Sequence, residues 1–223
     1  MKNSIRLMMS VGSLAAFICA AVVAQAQIAN LATGLDGSNT LITTGGAPDA
    51  HWTVDQPAGG TAAAQVVTSK DPDWYSGWTA DGPNSNWIAR NAGAADNGAA
   101  PYTFYRTFNL TGYDLSTVGI TGGWAIDDEG ILALNGTTIA TLGSGSWGGL
   151  TNFGVAGGSS LFHSGLNTLS ITITSDDRFL EAVRLEGTVT GNRASTVVPE
   201  PSSIAFVGGL GVTAFAIRRR RSR

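Results

Sequence analysis

The chain has 223 residues, 43% hydrophobic and only 13% charged, with 30 glycines, one cysteine and a formal net charge of −3. That charge is unevenly placed: from the end of the N-terminal apolar run to Val198, six basic residues stand against fifteen acids, a balance of −9. A body of that sign repels polyanions, which excludes nucleic acid as a partner.

Residues 1–26 read as a secretory signal peptide. Lys2 and Arg6 precede an apolar run from Leu7 to Val23, and Ala24-Gln25-Ala26 offers signal peptidase small residues at −3 and −1, placing cleavage before Gln27. Cys19 falls within this segment and follows Ile18, where a lipid-attachment site needs a small residue. The exported body therefore has no disulfide and no thiolate, and its core must hold it together.

Residues 27–190 are long enough for one domain with a sizeable core. Short segments alternate with period two. Phe104, Phe108 and Leu110 share one face of YTFYRTFNL, and Leu169, Ile171 and Ile173 share one face of TLSITIT. Val118, Ile120, Trp124 and Ile126 share a parity, as do Val183, Leu185 and Val189. Such alternation between Gly, Asn, Asp and Pro breaks predicts half-buried antiparallel strands, and no amphipathic helix competes with them. GILALNGTTIATL reads as strand, Asn135-Gly136 turn, strand. The expected fold is all-β, a jelly-roll-like antiparallel β-sandwich, with residues 191–198 as a linker.

Three groups of residues invite a functional reading. In DPDWYSGWTADGPNSNW, the rings of Trp74, Tyr75 and Trp78 either stack against sugar faces or cap the end of the core. Asp71, Asp73, Asp81 and Asn84 lie nearby to read hydroxyls. In WAIDDEGILALNG, the acids Asp127, Asp128 and Glu129 mark a strand end, with Gly130 permitting the reversal. They are candidates for backbone anchoring or for a structural calcium ion, which takes six to eight oxygens. Asp36 and the Asp176-Asp177 pair are weaker calcium candidates. No other cofactor is indicated.

Catalysis has little to work with. His51 and His163 are the only histidines, no Gly-x-Ser-x-Gly elbow is present, and zinc would lack its usual ligands. A carbohydrate-active enzyme running on carboxylates alone is the alternative to a non-catalytic module.

The C-terminal segment, residues 199–223, carries the most specific pattern. Pro199-Glu200-Pro201 sits within Val198-Pro-Glu-Pro-Ser202-Ser203, an apolar run from Ile204 to Ile217 follows, and Arg218, Arg219, Arg220 and Arg221 open a basic terminus. Fourteen residues at 1.5 Å each make about 21 Å of helix, short of the roughly 30 Å hydrocarbon core. The arginines would stay cytoplasmic and leave the body outside. These three parts in this order resemble the PEP-CTERM sorting domain of Gram-negative bacteria. The resemblance implies recognition of the Pro-Glu-Pro motif by an exosortase, passage through the inner membrane as a short transmembrane helix, and display at the cell surface or in an exopolysaccharide or biofilm matrix. The Asp-Asp…Leu-Asn-Gly hairpin followed by Phe162-x-x-Gly165-x-Asn167-x-Leu169 resembles galactose-binding-like jelly rolls. That resemblance implies a carbohydrate-binding or accessory module, with exopolysaccharide as an expected partner.

Overall fold

A computed structural model describes residues 25–95, 100–174 and 179–195. The signal peptide through Ala24, the whole 199–223 tail and Val198 lie outside the described residues. Among the described residues no helix is long and apolar enough to cross a membrane.

The described residues form eleven strands: β1 (Ala26–Asn30), β2 (Pro48–Asp55), β3 (Thr61–Val67), β4 (Trp87–Ala89), β5 (Tyr102–Asn109), β6 (Gly119–Asp127), β7 (Gly130–Leu134), β8 (Thr137–Leu142), β9 (Thr151–Val155), β10 (Leu166–Ile173) and β11 (Ala182–Gly191). All the strand pairs are antiparallel. Their order is β8-β7-β10-β5-β2-β3-β4-β11-β6-β9, with β1 added beside β11. The two ends of that order, β8 and β9, approach each other, so the sheet curls almost into a closed wall around its core.

The alternation read from the sequence sets the inside of that wall. Phe104, Phe108, Leu110, Ile120, Trp124, Ile126, Leu169 and Ile171 all join one buried cluster, together with Trp52 and Val54 from β2. Burying each of these side chains contributes on the order of 2 kcal/mol, and no disulfide is needed. Asn135 and Gly136 take positive φ of 50° and 82°, the two-residue turn that the β7–β8 hairpin requires.

Four consecutive strands, β3-β4-β11-β6, are buried on both faces over part of their length. Val66, Ile88, Val183 and Ile126 point into the main core, while Val67, Trp87, Ala89, Ala182 and Ala125 point outward and are buried again in a second cluster. The cover is irregular chain from residues 68–86 and 143–150, which lays Trp74, Trp78, Trp147 and Leu150 over the sheet. This explains why Trp-Ile-Ala of β4 shows no alternation: all three residues are buried.

Some boundaries differ from the sequence reading. β1 starts at Ala26, β11 runs through Gly191, and Arg193 still bridges to Tyr113, so the fold takes up the first residues of the expected linker. Gly130 does not take the left-handed conformation expected of a reversal. Its constraint is closeness, since a Cβ there would lie 2.3 Å from the Thr172 carbonyl oxygen and 2.5 Å from Ile126 Cδ1. β2 carries an irregularity between Pro48 and Thr53, held by buried Asp49. The Asp49 carboxylate accepts from the N–H groups of Gly34 (2.6 Å), His51 (2.7 Å) and Trp52 (2.9 Å). Burial raises its pKa, and those three bonds pull it partly back.

Candidate functional site

The loop of residues 68–86 is fixed from below. Thr68 N–H donates to Asp71 Oδ2 at 2.6 Å, and both the N–H and the hydroxyl of Ser69 donate to Asp81 Oδ2, at 3.0 and 2.7 Å. Asp71 and Asp81, expected to read hydroxyls, thus close the loop on itself. Asp73 and Asn84 are exposed. Arg184, buried on β11, donates to Ala80 O and to Ser85 Oγ (2.8 Å) and pairs with Glu186 (3.1 Å). Thr79 N–H donates to Trp147 O at 2.8 Å, which ties this loop to the 143–150 loop.

The aromatic trio divides. Trp78 is only 4% exposed, lies nearly parallel to Trp87 with ring centroids 4.9 Å apart, and donates its indole N–H to Asp127 Oδ2 at 2.6 Å. It offers no free face to a sugar, so its placement as a stacking platform is corrected to a cover for the sheet. The reason is the apolar outer face of β4, β6 and β11, which needs a large ring over it. Trp74 is half-buried and packs edge-on against Trp78 at 5.3 Å. Tyr75 is 37% exposed and packs edge-on against Trp147 at 5.9 Å.

At the C-terminal end of β6 these elements enclose a cleft of about 240 Å³, lined by Tyr75, Trp147, Phe179, Leu180, Asp127 and Asp128. The structure therefore joins two groups that are far apart in the chain, the aromatic loop and the acidic strand end. Phe179 is 66% exposed. The sequence reading missed Trp147, Phe179 and Leu180. Trp147 had a signal, a tryptophan in the glycine- and serine-rich stretch GSGSWGGL, the same kind of setting as Trp74 and Tyr75. Phe179 stands in no periodic pattern that would mark it.

The acids have separate duties. Asp127 receives Trp78, the N–H of Asp128 donates to Glu181 Oε2 at 3.0 Å, and the Glu129 carbonyl accepts from Thr174 N–H at 3.0 Å. Among the described residues no three His, Cys, Asp or Glu side chains gather as a metal site. Asp36 accepts from the N–H groups of Ser38 and Thr40, both at 2.8 Å, and caps its own turn. Asp176 and Asp177 lie outside the described residues. His163 is exposed, while His51 is half-buried on β2.

No family model matches the chain, and no curated protein matches it. Among solved structures the chain is similar to the CBM36-1 domain of a multidomain xylanase from the hindgut metagenome of Trinervitermes trinervoides, at 11% identity and a TM-score of 0.34, covering 65% of this chain and 99% of that one. It is similar to a family 35 carbohydrate binding module from an environmental isolate, at 13% identity, TM-score 0.32, with 65% and 99% covered. It is also similar to the Stig cyclase Fisc from Fischerella sp. TAU, at 10% identity, TM-score 0.40, with 75% and 100% covered. Two binding modules and a cyclase at such scores favour no activity. The cleft is argued from its own residues.

Proposed function

We propose that this protein is an exported, non-catalytic polysaccharide-binding module with a jelly-roll-like β-sandwich. In this reading its signal peptide and PEP-CTERM tail deliver it, through exosortase processing, to the cell surface or an exopolysaccharide matrix. The observation that carries the binding reading is the cleft that sets the rings of Tyr75, Trp147 and Phe179 beside Asp127 and Asp128. Sugar rings present C–H faces that lie flat on aromatic rings, and their hydroxyls donate to carboxylates. Tyr75 and Trp147 are held edge-on to one another by the two tied loops, so the platform is formed before the ligand arrives and little ordering is lost on binding.

A module fits better than a glycosidase because the nearest acids are not placed as a catalytic pair. Hydrolysis needs two carboxyl groups facing each other across the scissile bond, about 5 to 9.5 Å apart, one of them holding a proton. Asp127 and Asp128 are instead chain neighbours on one wall, and Asp127 is hydrogen-bonded to Trp78.

The test is retention of the full chain on immobilised polysaccharides, comparing the wild type with Tyr75→Ala and Trp147→Ala. Both variants should elute early; Tyr75→Ala, at an exposed position, should melt near the wild-type temperature, while Trp147→Ala also thins the cover of the second cluster and should melt lower. Unchanged retention in both, or release of reducing sugar by the wild type, overturns the reading. For sorting, replacing Pro199-Glu200-Pro201 with alanines should leave the tail uncut, and normal processing of that variant would count against exosortase recognition.

A further inference from the structure

A second groove, about 480 Å³, lies between β1 and the end of β5. Its walls are chemically unlike those of the aromatic cleft. The amides of Gln27, Asn30, Asn39 and Asn109 line it, together with His51 and Arg106, and no Trp or Tyr takes part.

Arg106 occupies an unusual place. On β5 it has the inward parity of Phe104 and Phe108, where an apolar residue would continue the core. Its Nη2 donates to Asn30 O at 2.9 Å, and its buried Nε has no hydrogen-bond partner. A guanidinium carries five N–H donors, so most of its capacity is unused by the described residues. His51 Nε2 is likewise buried with no hydrogen-bond partner among the described residues. Leaving such groups unsatisfied costs about 1–3 kcal/mol each, and a fold that keeps two of them at one groove calls for an explanation.

What the groove offers a ligand, through its amides and the Arg106 guanidinium, is hydrogen bonding rather than charge. Burial lowers the pKa of Arg106, and the nearby Asp49 carboxylate raises it again by its opposite charge. A cation with a carboxylate in its neighbourhood, in a body of net −9, gains little from a polyanion. Amides, which donate and accept at once, suit hydroxyl groups, which do the same.

We propose that this groove is a second binding site, for a segment of neutral, polyhydroxylated polysaccharide read through Arg106, His51 and the surrounding amides. The two sites are well separated. The aromatic cleft lies at the start of β11, near Ala182, and the groove lies beside β1, whose Asn30 pairs with Thr188. Six residues of strand put about 20 Å between those points, too far for one or two sugar units to bridge. A domain with both sites holds two chain segments at once and crosslinks them; this consequence, unlike the groove itself, rests on the reading given to the aromatic cleft.

The experiment is calorimetric titration of the full chain in detergent with cellohexaose, mannohexaose and xylohexaose, and with hexagalacturonate as the anionic probe. At least one neutral hexasaccharide should bind with two equivalents per chain. Arg106→Gln should remove one of them or weaken it at least about tenfold, and Trp147→Ala should affect only the other. Asn39→Gly is the gentler second variant, because Asn39 already sits at a φ of 60° that glycine accepts freely, and it should weaken the same equivalent as Arg106→Gln. The proposal is overturned if no neutral probe binds, if Arg106→Gln and Asn39→Gly both titrate as wild type, or if hexagalacturonate binds more tightly than the neutral probes in an Arg106-dependent way. Loss in Trp147→Ala alone removes the second groove and leaves the aromatic cleft standing. Loss in Arg106→Gln alone removes the aromatic cleft instead.

Discussion

The indole N–H of Trp78 donates to the Asp127 carboxylate at 2.6 Å, across 49 residues of chain. One hydrogen bond thus fastens the covering loop to the strand end that lines the cleft. Trp78→Phe keeps a ring over Trp87 but removes the donor. A hydrogen bond to a charged group is worth about 1.5–3 kcal/mol, so urea unfolding should show a loss in that range. A double-mutant cycle with Asp127→Ala should return a coupling of at least about 1 kcal/mol. Additive effects would mean the bond contributes nothing.

Asp49 gives the domain a pH signature. Burial raises its pKa in the folded protein above the ordinary carboxylate value of 3.8. The folded state therefore holds this proton more tightly than the unfolded chain does. The Asp49 contribution is fully present below pH 3.8 and is lost as pH rises through the raised value. Asp49→Asn should abolish that downward slope in unfolding free energy, measured in steps from pH 3.5 to 7, although the variant is less stable throughout because its amide N–H₂ must face the N–H of Gly34 or of His51 and Trp52. An unchanged slope would show that other groups set the pH response.

Asn167 joins the two motifs that first suggested the fold. Buried at 1% exposure, it donates to His163 O (2.8 Å) and Gly165 O (2.9 Å) and accepts from His163 N–H and from Asn135 Nδ2. Asn135, in the β7–β8 turn, accepts in return from Thr168 N–H at 2.8 Å. Removing the Asn167 side chain strands several of these groups, at about 1–3 kcal/mol for each that water cannot reach. Asn167→Ala should lower the unfolding free energy by about 3 kcal/mol or more, and a loss below about 1 kcal/mol would contradict this account.

Gly130→Ala probes close approach rather than turn geometry. The added methyl would sit 2.3 Å from Thr172 O, and backbone on paired β10 cannot yield as a side-chain tip can. A loss of roughly 1–3 kcal/mol is expected, and polysaccharide retention should fall as well, because the turn beside Asp127 and Asp128 must shift. Wild-type stability in this variant would show that the strands separate easily.

What was legible in the sequence is what local chemistry decides. TLSITIT became β10 because alternate residues meet core and solvent, and Asn-Gly made its hairpin because both residues accept positive φ. β4 shows no alternation for the opposite reason: with Trp87 and Ala89 covered by a loop, its outer face is as apolar as its inner one. β1, Ala-Gln-Ile-Ala-Asn, pairs along one side only and shows no pattern. The cleft was half visible. Tyr75 and the two aspartates were candidates for separate roles, and nothing local indicates that folding makes them neighbours or that Trp147 and Phe179 join them. Trp78 shows the limit most clearly, since a tryptophan in a loop reads alike whether it faces solvent or closes a core.

The pairing of β1 with β11 has a mechanical consequence. Ala26 lies opposite Gly191, so the two ends of the strand array stand side by side. A pull between those two points loads the β1–β11 bonds one after another, and β1 peels away like a zipper at low force. A pull from Gly191 against the rest of the domain meets β6 along nine paired residues of β11 at once and must shear them together. Held at the C-terminal end of β11 while ligand drags on the cleft, the domain bears load along its strong direction.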